Sequence, residues 1–478
     1  CLLRFQPSVA CGADYPTKQR APRYDPGMGT FTRRAHLAAL ASAATAATLP
    51  RSVFAQPPAV KPVPAEAGAD IPPEGIGRGI RHLSYSDVGG RPDTVQVMAS
   101  RGHLYVGHMF ADGFTVLDAR DPRALKAKKF VAASPNTRTH HLQTAGDYLL
   151  LANGANIVRM QSYDNSRDYF ENTLADSLTK KAPFRAGLGI FDIAKDPANP
   201  REIAFLEMPG IGINRLWWAG GRYAYVSAHF DGFTDHILCI VDLANITKPQ
   251  LVSQWWLPGM NRAAGETLTS PKGKRWALHH MIVAGDRGYG AWRDGGFTIH
   301  DVSDAAHPKL LSHINWSPPY PGGTHTPLPL PNRGLAVVAD ESNADFCAKG
   351  LFYTWLVDVR AADNPVPVAT LPTPRDRDHC ALGNFGPHNL HENRPDQLVS
   401  EDTIFATYHA AGVRVFDIRD QYAPREIASW LPPVPAKMLD PRPNVVRGAL
   451  SCDCLVTRDG LIYASDWNGG LHVLQYAG

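Results

Sequence analysis

A short apolar strand that ends in aspartate and runs into a proline-marked turn recurs along most of this chain. It reads FTVLDARDP to Pro122, GIFDIAKDPANP to Pro200, LCIVDLANITKP to Pro249, FTIHDVSDAAHP to Pro308, YTWLVDVRAADNP to Pro365 and VRVFDIRDQYAP to Pro424, with a last strand LHVLQYAG ending at Gly478. The spacing is mostly about 45 to 65 residues, and a β unit of that size cannot bury its own apolar face, so it must pack against further copies of itself. Gly 41 and Pro 40 among 478 residues supply the many turns that such an array needs.

Four strands are legible within each unit. The first carries histidines and ends at a polar turn such as Ala145-Gly146-Asp147 or Ala284-Gly285-Asp286; the second is YLLLANG or YAYVSAH; the third ends in the aspartate; the fourth is REIAFLEMP or KLLSHINW. This is the pattern of a propeller blade. First strands fall near Thr94, His140, Asn214, His279, His325, His388 and Cys452. The last unit stops after its third strand at Leu471 to Tyr476, whereas an unattached strand, Ile80 to Tyr85, precedes the first unit. The expected fold is therefore all-β: a seven-bladed β-propeller over residues 80–478, closed by the N-terminal strand so that no sheet edge stays open. Asp118, Asp192, Asp242, Asp301, Asp358 and Asp417 recur at the blade turn and are expected to cap backbone amides there.

Ahead of the repeat, Thr32-Arg33-Arg34 opens the apolar stretch AALASAATAATLP, and Val53-Phe54-Ala55 supplies a small residue before Gln56. The stretch is too short to span a bilayer, and the three parts in this order resemble a bacterial twin-arginine export signal over residues 28–55. Residues 1–27 read as an upstream, non-native segment and residues 56–79 as a Pro/Ala-rich linker. A periplasmic or secreted location is expected, with no membrane span once the signal is removed. In that oxidising setting Cys347 and Cys380, both in irregular segments of neighbouring repeats, are the preferred disulfide pair. With Lys+Arg 48 against Asp+Glu 45 the formal charge is only +3, which argues against a nucleic-acid partner.

The segments VFDI, IVDL and LVDV, each followed by a Pro turn, resemble the LVIVD-repeat family of bacterial propeller proteins. That resemblance covers residues 80–478 and implies fold more than activity, because the family is functionally mixed.

Aligned on the polar turn after the first strand, His140 and His279 occupy one position, His325 falls there too, and His388 lies within one residue of it. First strands line the axis of a propeller, so these four imidazoles are expected to converge at one mouth of the channel. A second set ends the second strands at the same face: His108, His229, Arg293, Glu341 and His409. Several neutral imidazoles from different strands are the ligand set of a transition metal ion such as copper, iron or zinc. The alternative is that the histidines do hydrogen-bonding or substrate-binding work. Cys452 and Cys454 stand on one strand face, as a soft ligand pair or equally as buried unpaired thiols; Trp217-Trp218 and Trp255-Trp256 read as inter-blade packing, with Trp218 or Trp292 as the alternative lining of a pocket for an aromatic or apolar substrate.

These patterns lead to an expectation of a metal-dependent enzyme, foremost an oxidoreductase, acting on a small-molecule substrate of aromatic or anionic character. His140, His279, His325 and His388 hold the metal in that reading. Glu341 orients a ligand imidazole or acts as general base, His229 and His409 meet the substrate or a second ion, and Arg293 anchors an anionic group. At the level of architecture alone, the arrangement resembles four-histidine iron oxygenases and copper oxidases of the selenium-binding type. Metal-assisted hydrolysis of a lactone and a non-catalytic binding propeller remain the other two readings.

Overall fold

A computed structural model describes residues 68–160, 182–271, 273–442 and 445–478. The segments read above as upstream sequence and export signal lie outside these residues. The described chain is β-structure apart from one turn of α-helix at Ile157–Met160 and three 3-10 turns. Among the described residues no helix is long and apolar enough to cross a membrane.

Strands Thr94–Ser100, His103–His108, Gly113–Asp118 and Lys126–Ala132 form a four-stranded antiparallel meander. The same order recurs from Leu142–Ala145 to Arg201–Glu207, from Gly212–Trp217 to Gln250–Trp255, from Trp276–Ala284 to Lys309–Ile314 and from Thr324–Leu330 to Val366–Thr370. Thr403–Thr407, Val413–Asp417 and Arg425–Leu431 carry Ile76–Arg78 on their outer edge, while Ser451–Val456, Leu461–Asp466 and Gly470–Tyr476 carry Ile80–Ser86. The stretch expected to be linker thus already holds a paired strand at Ile76–Arg78, because its amides extend the edge at Ser429 to Leu431.

Burial explains the layering. First strands such as Thr324–Leu330 are buried throughout, whereas fourth strands such as Lys126–Ala132 are largely exposed. Each curled sheet therefore runs from a buried inner strand to a wetted outer one, as in a propeller. Apolar side chains of neighbouring sheets interdigitate between them: Val413, Val415 and Trp430 meet Ile80, Ile462 and Leu474 in one such layer.

The recurrent aspartates do the capping work read from the sequence. Oδ1 of Asp118, Asp192, Asp242, Asp301, Asp358 and Asp417 each accepts the backbone N–H two residues on. Each third strand thereby ends in a fixed turn, which sets where its fourth strand begins.

The disulfide expected between Cys347 and Cys380 is present, with Cα atoms 5.5 Å apart and a sequence separation of 33. A loop of that length predicts a loss of roughly 3–4 kcal/mol of unfolding free energy when both residues are replaced by alanine. Denaturant titration of the double variant beside the parent checks this.

Candidate metal centre

The inner strands share one irregularity at the same end. Where Thr324–Leu330 pairs with Leu335–Asp340, the register skips His325; the equivalent slips fall at Asn214, at Ala277 to His279 and at Cys452. Between Arg138 and Leu142 the inner chain again gains a residue on its partner, in the stretch holding His140 and His141. In the unit of His388 the bridges Phe385 to His409 and Leu390 to Ala406 leave extra residues around His388 and Asn389. A bulge of this kind re-aims a side chain that regular alternation would turn elsewhere. The sequence alignment found these positions because the bulge sits at a fixed distance from the polar turn.

The re-aimed imidazoles form an arc. Ring centroids are 4.2 Å apart for His140 and His141, 6.3 Å for His141 and His279, 3.5 Å for His279 and His325, 4.3 Å for His325 and His388, and 4.8 Å for His388 and His409. At its centre His325, Glu341 and His388 bring one ligand atom each within 4.8 Å of one another. Nε2 of His325 stands 3.7 Å from Oε2 of Glu341, and Nε2 of His388 stands 3.4 Å from Oε1. Among the described residues this is the cluster that could hold an ion. Its donors, two imidazoles and a carboxylate, suit zinc or iron and leave further coordination positions open.

Proton positions follow from the partners. A carbonyl oxygen only accepts, so Nδ1 of His388, which faces the Cys452 carbonyl, and Nδ1 of His279, 3.0 Å from the His325 carbonyl, both carry the proton. Their Nε2 lone pairs are then free for a ligand. Burial drives the imidazoles of His279, His325 and His409 well below their usual pKa range and holds His388 at about 3. For His279 and His325 the Arg293 and Arg215 guanidiniums push the same way. The rings are therefore neutral, as ligation requires.

The other expected site residues are distributed around this cluster. Arg293 is ion-paired with Glu341. Arg293 and His409 both have positive φ, 51° and 41°, which non-glycine residues adopt only where surrounding structure holds them. His409 is buried, with no side-chain hydrogen-bond partner on either ring nitrogen among the described residues. His140 stands further along the arc, its Nε2 3.1 Å from the Asn214 side-chain oxygen. His229 is separate from the cluster: its Nδ1 accepts the Ile211 amide N–H and its ring neighbours His236. That bond leaves the His229 proton on Nε2, where it can donate but not ligate.

The cysteines and tryptophans take the packing alternative. The thiol of Cys452 points to the Thr94 carbonyl and Ser465, and Cys454 is packed in the core, so neither is turned to an ion; Cys452 contributes its carbonyl. Trp218 and Trp292 are core residues, donating to the Gly221 carbonyl and the Thr298 hydroxyl. An aromatic ring that does stand beside the cluster is that of Trp467, 6.2 Å from the ring of His388 and 6.4 Å from His409. Its position at the end of a second strand, the place held by His409 in the preceding unit, was the signal that could have found it. A pocket beside the cluster is lined by Glu341, His409 and Trp467 together with Asn343, Asn384 and Leu450.

The LVIVD repeat model matches residues 215–255 and 280–315, each running from an inner strand to the outer edge of one sheet. The chain carries LVIVD repeats. No curated protein matches it. Among solved structures, a periplasmic gluconolactonase of Pseudomonas aeruginosa is similar over 79% of this chain and 96% of its own, with 11% identity and a TM-score of 0.51. A β-propeller domain from Myceliophteria thermophila is similar over 81% of this chain and 97% of its own, with 11% identity and a TM-score of 0.48. At 11% identity the likeness to the gluconolactonase shows a shared fold alone.

The Arg293 guanidinium competes with any cation for the Glu341 carboxylate. Arg293→Ala is therefore expected to tighten zinc binding roughly tenfold, and Glu341→Gln to weaken it at least as much. Calorimetric zinc titration of the two variants reads both directions.

Proposed function

We propose that this chain is a periplasmic, metal-dependent hydrolase that opens a lactone or related ester at the His325–Glu341–His388 cluster. The observation that carries the reading is the meeting of two neutral imidazoles and a carboxylate within ligand distance at the mouth of a propeller-like fold. His279, whose Nδ1 donates to the His325 carbonyl and whose ring stacks on His325, lies outside that three-residue cluster and in this reading is the neighbour that completes the donor set. His140, two rings further along the arc, stays outside the donor set.

When bound, such an ion supplies a Lewis acid for a carbonyl oxygen and an acidified water. The remaining work falls to the chain. Glu341, hydrogen-bonded in this form to Arg293, is the carboxylate that can hold a water proton. Arg293 then faces the carboxylate released on ring opening, matching the expected preference for an anionic group. His409, which lines the pocket with no side-chain partner on its ring nitrogens, is the group to hydrogen-bond substrate, and Trp467 walls the pocket on its apolar side. The gluconolactonase that shares the fold lends this substrate class support.

The finer architecture belongs to the same proposal: seven blades over residues 80–478, closed by Ile80–Ser86. Two features support it. Ile80–Ser86 pairs with Gly470–Tyr476 and slips register between His82 and Ser84. Third and fourth strands elsewhere slip in the same way, as at Val116/Leu117, Ile240/Val241 and Ile299/His300. The Cys347–Cys380 disulfide and the twin-arginine sequence support export.

Oxidoreductase chemistry is the second reading, favoured by the same donor set, which suits ferrous iron. The two readings separate on a panel. Zinc- or manganese-loaded protein should hydrolyse sugar lactones without consuming oxygen, whereas an oxygenase needs iron and consumes oxygen. His388→Ala is expected to lower lactone hydrolysis at least about 100-fold and to remove bound metal, with circular dichroism unchanged. Loss of neither hydrolysis nor metal in that variant contradicts the proposal, and a protein that binds metal but turns over no substrate supports a binding propeller instead.

A further inference from the structure

Deeper in the channel, five inner segments meet on one carboxylate. Glu392 accepts from Arg215 at 3.0 Å, Gln143 at 3.0 Å and Gln96 at 3.4 Å, with Arg394 3.6 Å and His280 4.0 Å away. Arg215 is fully buried, and its second terminal nitrogen donates to Oδ1 of Asn389 at 3.1 Å. The Asn389 amide nitrogen in turn donates to the Cys452 carbonyl at 2.7 Å. These two partners fix the amide orientation, since a guanidinium only donates and a carbonyl only accepts. The reverse orientation would set donor against donor and acceptor against acceptor.

The fixed amide settles protons further out. Oδ1 of Asn389 cannot donate, so the contact at 2.8 Å with the Thr326 hydroxyl uses the single Thr326 proton. The Thr326 oxygen can then only accept from Nδ1 of His325, 2.9 Å away. The His325 proton therefore sits on Nδ1, and its Nε2 lone pair faces Glu341. On the other side, the Cys452 carbonyl held by Asn389 is the same one that takes the Nδ1 proton of His388. Asn389 and Thr326 are both fully buried, so water cannot substitute for either bond.

We propose that Asn389, anchored by Arg215, is a positioning residue that holds both His325 and His388 in the Nδ1-protonated tautomer and so aims both Nε2 lone pairs at Glu341. The consequence for metal affinity rests on the metal reading above; the tautomers themselves do not. An imidazole released from this network can place its proton on Nε2 and close the ligand atom. Partners of this kind behind metal-ligating histidines typically change affinity by about 10–100-fold.

Thr326→Val tests the chain of bonds, because it keeps the branched shape and removes only the hydroxyl. Ring nitrogen-15 spectra of metal-free protein should show His325 and His388 protonated on Nδ1 in the parent, with His325 losing that state in Thr326→Val and regaining it in Thr326→Ser. Zinc affinity should fall about 10–100-fold in Thr326→Val and return in Thr326→Ser. Thr298→Val, which strips a hydroxyl from the buried partner of Trp292, serves as the control for mere loss of stability and should leave zinc affinity within about twofold. Nε2-protonated His325 in the parent, or unchanged tautomer and affinity in Thr326→Val, overturns the inference. A parent with the expected tautomers but no zinc binding overturns the metal reading and leaves the tautomer assignment standing.

Discussion

In a regular strand alternate side chains face opposite sides, so an inner strand can present only every second residue to the channel. The extra residue at the mouth of the inner strands lifts that restriction where it matters. Consecutive residues then serve two tiers. His279 and His388 enter the rim arc, while His280 and Asn389, one position on, reach the network around Glu392 and Arg215. Without the bulge, a shift of one residue would turn these pairs away together. The site depends on this feature more than on any single ligand.

Burial is the second determinant. Two carboxylates, Glu341 and Glu392, are buried among the inner segments, and each is met by at least one arginine. Such pairs contribute little net stability, yet removing one partner strands a buried charge at a cost of about 3–5 kcal/mol. Well-packed apolar residues would stabilise the axis as well or better. That a channel this polar is maintained at the centre of the fold points to work done there, and the strained backbone of Arg293 and His409 beside Glu341 agrees.

The blade pattern was legible because it is local: strand alternation, a capping aspartate and a proline turn all lie within one unit. The rim positions of His279, His325 and His388 were legible for the same reason, since the bulge keeps a constant offset from the turn. Glu341, Arg293 and His409 followed from the antiparallel return of the second strand. What sequence could not give was azimuth around the axis. His229 occupies the same repeat position as His409, yet it sits with His236 rather than Glu341. The Arg215–Asn389–Thr326 network was invisible because its members share a repeat position, one past the rim residue, but differ in residue type and come from inner segments far apart in sequence. Trp218 and Trp292 stayed open between packing and pocket because a tryptophan beside a strand reads the same whether it lines a pocket or fills a core.

The most direct test of the metal reading is anomalous diffraction at the zinc edge from crystals grown with equimolar zinc. The account predicts one strong peak bounded by Nε2 of His325, Nε2 of His388 and the Glu341 carboxylate, with Arg293 withdrawn from that carboxylate. A peak elsewhere on the arc, between His140 and His141 for example, or an empty cluster with Arg293 still paired to Glu341 at saturating zinc, would contradict it.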